Sequence, residues 1–183
     1  DYKRRQACEA LAEMGPMGKR AIPDLIKRLE DVNLGVREFA ELALSKMGPD
    51  AVGPLEEVLG HDDPAVRLHA AAAIIGIDPT HRAASEELVN AVTGIGNAEL
   101  ASKAREVLIK LGPKAVPLLE PKLHDPYAPV RLYIVKTLGD MRENATAAVP
   151  ALIRLAKKDR DVSVREAAIK AMAAIGPREA VAV

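Results

Sequence analysis

The chain has 183 residues, 49% hydrophobic and 2% aromatic, with no tryptophan, one cysteine, and 26 Lys and Arg against 26 Asp and Glu. That neutral balance removes the electrostatic case for a nucleic-acid or anionic-membrane partner, and the lone Cys8 excludes an internal disulfide and a Cys-based zinc site. A core so poor in aromatics must be built from Ala, Leu, Ile, Val and Met, which favours close helix–helix packing over a β-sandwich, and no apolar run reaches the roughly 20 residues needed to span a bilayer.

The first element in chain order is a helix at 2–14, closed by Gly15–Pro16. Its Arg4 opens a series continued by Arg37, Arg67, Ala101, Arg131 and Arg165, at steps of 33, 30, 34, 30 and 34 residues. A period in this range marks a stacked-repeat architecture, in which each unit buries its apolar face only against its neighbours. Five helix pairs follow the first helix, over 18–47, 50–77, 80–111, 113–141 and 144–175. Pro23, Pro54, Pro117 and Pro150 occupy similar places in the first helix of four pairs. A proline is tolerated near a helix start and bends the helix further in.

The second helices are expected near 34–47, 64–77, 97–111, 127–141 and 162–175. Counted from the arginine position, residues −1, +3, +6, +7 and +10 are apolar or small, as in Val36, Ala40, Ala43, Leu44 and Met47. That spacing is one stripe of an α-helix. Asn33, Asp63, Asn97 and Asp161 stand where an N-cap belongs, with Asp125 expected to cap in place of Tyr127. Gly15, Gly48, Gly112 and Gly176, each followed by proline, supply stop signals. The second helix at 127–141 lacks this signal.

The run AIPDLIKRLEDVNLGVREFAELALSKMGP, from Ala21, resembles a HEAT repeat of the short prokaryotic, phycobilisome-lyase HEAT-like type, and the resemblance covers essentially the whole chain. It implies an all-α fold: an α-α superhelix, or HEAT-like solenoid, of about five helix pairs plus one N-terminal helix, forming a single array over 1–183. It also implies a polar ladder between neighbouring repeats, built from an acidic turn residue and the arginine of the second helix. Asp31 with Arg37, Asp125 with Arg131, and Asp159 or Asp161 with Arg165 fit that pattern. Around Arg67 the turn carries Asp62 and Asp63, with His61 at the matching place. The pair at 80–111 departs, with Ala101 and the turn GIGNAE at Gly94–Glu99, so a broken ladder is expected there. The start in mid-pattern without Met and the trailing GPREAVAV imply a piece of a longer chain.

In that family the second helices line the concave side. Their outward positions read as wet surface near the chain ends, as in Glu166, Ile169 and Lys170. In the middle they turn apolar. The expected partner-binding set is Leu68, His69, Ala72, Ile75, Arg105, Ile109, Leu132, Tyr133, Val135 and Lys136. Two readings of this stretch stand open: an exposed interaction patch, or curvature that lets neighbouring repeats bury it. No catalytic residue, metal site or cofactor is expected; His61, His69, His81 and His124 are scattered, without an i, i+4 histidine pair, and no phosphate-binding or nucleophile motif occurs. Cys8 reads as a small apolar helix residue. The expected function is a non-catalytic scaffold binding a protein or peptide, with no nucleic-acid or small-molecule partner and no membrane insertion, cytoplasmic by default. A bilin-lyase-like enzyme or a HEAT-like DNA glycosylase is the alternative.

Overall fold

A computed structural model describes residues 1–93 and 97–176, and every described element is helical or a turn. The chain divides into two compact units, Asp1–Ala91 and Val92–Val183.

The first unit opens with α1 (Tyr2–Met14). A 3₁₀ turn at Gly15–Ala21 leads into α2 (Ile22–Arg28), which pairs with α3 (Leu34–Met47). A shorter 3₁₀ turn at Pro49–Ala51 leads into α4 (Val52–Val58), paired with α5 (Pro64–Ile77), and α6 (Arg82–Thr93) follows. The second unit holds α7 (Ala98–Leu111), a broken first helix with α8 (Val116–Leu119) at its centre, and α9 (Ala128–Asp140). It ends with α10 (Val149–Lys158) and α11 (Val162–Ile175).

The second helices are long because nothing in them interrupts the backbone ladder. Among the first helices, α8 is cut short because a proline does. Pro23, Pro117 and Pro150 stand in the first turn of their α-segments, where a missing N–H costs nothing. Pro121 follows Pro117 by four residues. It has no N–H to offer the Pro117 carbonyl and its ring crowds it, so α8 stops at Leu119 and continues as a 3₁₀ turn through His124.

Helix starts follow their caps. Asn33 Oδ1 accepts from Val36 N (3.2 Å), Asp63 Oδ1 from Ala65 N (2.8 Å), Asn97 Oδ1 from Leu100 N (3.1 Å) and Asp161 Oδ1 from Ser163 N (2.8 Å). The start of α9 differs from expectation. Asp125 accepts from Tyr127 N (2.9 Å), ahead of the helix, and closes the turn instead of capping. At the end of α9, where glycine is missing, Arg142 itself takes the left-handed backbone with φ 53°. It does so at the place where Gly48 has φ 79°, and an L side chain there is strained by about 1 kcal/mol.

In both units the core runs along the facing stripes of the paired helices. Leu25 and Leu29 meet the buried stripe of α3, Ala40, Leu44 and Met47; in the second unit Ile134, Leu138, Ala168 and Ile175 are buried likewise. The N-terminal helix departs from this register. Ala7, at the +3 position, is exposed, and Cys8 is buried instead. Among the described residues α1 packs on α3 and the adjoining 3₁₀ turn, so its covered face is rotated by about one position.

Candidate functional site

The anchor arginines reach in two directions, and Arg131 reaches in both. Backward, Nη1 donates to the carbonyl six residues earlier, in the turn that opens its own helix. The pairs are Arg37 to Asp31 (2.8 Å), Arg67 to His61 (2.7 Å), Arg131 to Asp125 (2.8 Å) and Arg165 to Asp159 (2.8 Å). Forward, the guanidinium of Arg4 or Arg131 grips the turn of the next repeat with two bonds. Arg4 donates from Nε and Nη2 to Asp31 at 2.7 and 3.0 Å. Arg131 donates from Nε and Nη2 to Asp159 at 2.8 and 2.7 Å. This planar two-point match is what distinguishes arginine from lysine.

The carboxylates therefore do not pair as the sequence suggested. Asp31 serves Arg4, not Arg37; Asp159 serves Arg131, not Arg165; and Asp125 gives Arg131 only its backbone carbonyl. The reason lies in the turn. The side chain six residues before the anchor accepts the N–H two residues on, as Asp31 does from Asn33 (3.0 Å) and Asp159 from Asp161 (2.9 Å). That posture aims the carboxylate at the preceding repeat and leaves only the carbonyl for the arginine of its own repeat. Asp161 stands outside the ladder as the cap of α11.

Two rungs are open. His61 occupies the turn that Arg37 should grip. Its Nδ1 still accepts from Asp63 N (3.0 Å), so the turn closes, but Arg37 Nε is buried with no hydrogen-bond partner among the described residues. At the other, Ala101 has no guanidinium to offer Asp125. Arg67 is served from elsewhere: Glu87 on α6 accepts from its Nε at 3.0 Å. Glu87 was missed in the sequence because it lies on a helix, outside the turn motif. Of the turn GIGNAE, Gly94, Ile95 and Gly96 lie outside the described residues.

The ladder shifts the carboxylates that it holds. The Arg4 guanidinium, hydrogen-bonded to Asp31, holds that carboxyl down at about 2 against the opposing effect of burial. Arg131 likewise lowers Asp159. Both carboxylates are committed to ion pairs, a poor posture for proton transfer. Burial raises the Cys8 thiol, away from the reactive thiolate form. Among the described residues no cluster of three or more His, Cys, Asp or Glu is placed to hold a metal ion, and no helix is long and apolar enough to cross a membrane.

The outward positions of the second helices divide sharply. On α5, Leu68, His69, Ala72 and Ile75 are buried, and His69 Nδ1 lies 2.6 Å from Glu41 on α3. Val135 on α9 is buried too. These five form no open patch, because adjacent second helices touch through small residues. A Cβ on Gly76 would come 3.0 Å from the Cβ of Ser45, and one on Gly139 would come 3.1 Å from Ala171. Helices this close cover the side chains along their seam. Arg105, Ile109 and Leu132 remain half-buried, while Tyr133 and Lys136 are exposed.

Two grooves mark the second unit. One, of about 740 Å³, follows the turn edge between His124 and Arg160. Asp125, Asp159 and Asp161 all line it, each already accepting backbone N–H groups, and Arg131 spans it to Asp159. Its charges build the turns. The other groove, of about 540 Å³, runs along the seam between α9 and α11. Its floor is Gly139, Ala167, Ala171 and Ala174; Lys136 and Lys170 rise from the two helices, and Leu132, Glu166 and Asp140 lie toward its ends. Of the expected binding residues, Leu132 and Lys136 line it. Lys170 and Glu166 join them, although the sequence pattern read them as plain surface.

A family model described as HEAT repeats matches residues 1–76 and 116–183. No curated protein sequence matches the chain. Among solved structures, a chain in the complex of CpcE and CpcF of phycocyanin lyase from Nostoc sp. PCC7120 is 19% identical with a TM-score of 0.53, over 84% of this chain and 98% of that one. Human deoxyhypusine hydroxylase in complex with glycerol is 22% identical over 94% and 68% of the two chains, with a TM-score of 0.40. An engineered protein is 22% identical over 93% and 89%, with a TM-score of 0.38.

Proposed function

The chain belongs to the HEAT-repeat family, and from that premise we propose that it is a non-catalytic scaffold which holds a peptide segment of a partner protein along the seam between α9 and α11. The observation that carries this reading is the groove itself: open, about 540 Å³, and floored by glycine and alanine. A floor of small side chains lets a partner backbone lie close to both helices, while the lysines and acids above it fix orientation. Support also comes from what the strong charges do. Asp31 and Asp159, both lowered by ion pairing, are locked to Arg4 and Arg131, so they bind repeat to repeat.

Filling the groove tests the idea. Ala174 is exposed and Ala167 half-buried, so A174W and A167W block the floor without entering the core. Both variants should melt within a few degrees of the parent. Each should lose retention on arrays of immobilised peptides by at least about tenfold, the equivalent of about 1.4 kcal/mol. Peptide retention unchanged by both plugs removes the groove from the function.

A further inference from the structure

We propose that the open rung at Asp125 binds the guanidinium of an arginine carried by a partner protein, which takes the place that an anchor arginine fills elsewhere in the chain. The turns at Asp31, Asp125 and Asp159 share one posture. Each carboxylate accepts the backbone N–H two residues on, at 3.0, 2.9 and 2.9 Å. At Asp31 and Asp159 the carboxylate also receives a fork of two bonds from the preceding anchor, Arg4 or Arg131, at 2.7 to 3.0 Å. The anchor that precedes Asp125 is Ala101. The chain thus shows twice what this turn holds, and supplies no guanidinium for the third.

The neighbours of Asp125 leave room for such a ligand. The residue before the anchor is buried in α3, α5 and α11, as Val36, Val66 and Val164, but Val130 in α9 is only half-buried. Helix α7 packs on α9 less extensively than α1 on α3 or α9 on α11. Asp125 is itself half-buried and lines the turn-edge groove of about 740 Å³. Among the described residues its carboxylate has Tyr127 N as its only hydrogen-bond partner. The nearest anchor cation is spent: Arg131 gives Nη1 to the Asp125 carbonyl and turns Nε and Nη2 to Asp159. Arginine suits the place better than lysine, because its planar fork matches a carboxylate with two parallel bonds. Val130 offers apolar surface to its stem, and Tyr127, 55% exposed two residues after Asp125, offers a ring for the guanidinium to stack on. None of these residues lines the α9–α11 seam, so this site is separate from the groove proposed above.

The test uses the full chain on an array of immobilised seven-residue peptides of mixed sequence, with the central residue held as Arg, Lys or citrulline, the uncharged isostere of arginine. The parent protein is expected to retain Arg-centred peptides about tenfold better than citrulline-centred ones and about threefold better than Lys-centred ones. D125N keeps an acceptor for Tyr127 N but loses the charge, and should retain all three classes alike. A101R supplies a guanidinium from within the chain and should lose the arginine preference as well. The two variants act on opposite sides of the rung, so either one that folds, as judged by its thermal melt, decides. Equal retention of Arg- and citrulline-centred peptides by the parent, no retention at all, or an arginine preference that survives a folded variant overturns the site. A174W lies on the other groove and should leave the preference as it is. A preference that A174W removes moves the arginine to the seam and overturns the rung as its site.

Discussion

The rung at Arg131 and the rung at Arg37 are built from the same anchor, the same turn carbonyl and the same helix register, yet one is closed and the other is not. Arg131 reaches Asp159, and the two side chains are only 11% and 4% exposed. Arg37 meets a turn whose equivalent residue is His61, and its Nε is left buried without a partner among the described residues. Histidine can do half of the aspartate's work. It accepts the turn N–H through Nδ1, but it cannot receive two guanidinium bonds. Turn closure and repeat-to-repeat pairing are thus separable duties that aspartate combines.

Breaking the closed rung should have the largest effect. R131M leaves Asp159 a buried charge without its counter-ion, and should cost about 3 kcal/mol in urea unfolding. A loss below about 0.5 kcal/mol would show that the rung is ornamental. Next comes acid. Asp31 has its carboxyl lowered from 3.8 to about 2 by Arg4, so its folded state binds the proton more weakly than the unfolded chain. Its contribution is therefore complete above about pH 4 and drains away as pH falls toward 2. D31N should flatten the part of the stability curve that falls in that window, measured by urea unfolding at pH 5, 3 and 2; parallel curves for variant and parent would refute this origin.

Closing the open rung is the converse. H61D keeps the acceptor for Asp63 N and adds a carboxylate for Arg37 Nε, and should raise stability by about 1 kcal/mol. A double-mutant cycle with R37M should show that the gain vanishes when the guanidinium is absent. The smallest change concerns the end of α9. R142G removes an L side chain from a left-handed backbone position at φ 53°, and should stabilise by about 0.5 kcal/mol once the entropy of glycine is subtracted. A lower melting temperature would mean that the Arg142 side chain makes a contribution of its own.

Much of this architecture was legible in one dimension. Second helices expected at 34–47 and 64–77 occur as Leu34–Met47 and Pro64–Ile77, because a 3.6-residue stripe and a polar cap are properties of a single segment. The pairing of Asp31 with Arg4 was not legible. The two lie 27 residues apart, and six residues separate Asp31 from Arg37, so proximity along the chain pointed to the wrong arginine. The same holds for the outward face. Leu68 and Leu132 occupy the same register position and carry the same side chain, but one is fully buried and the other half-exposed. Nothing within either helix distinguishes them.

The sequence by itself determined the second helices, most of their ends, their period and membership of a stacked-repeat fold, because stripes, caps and prolines act through bonds that close within a few residues. Only the tertiary structure decided which aspartate each arginine grips, which outward residues stay open and where a groove runs. Those outcomes depend on how closely neighbouring helices approach. That spacing is set by pairs such as Gly139 and Ala171, whose contact no local pattern encodes.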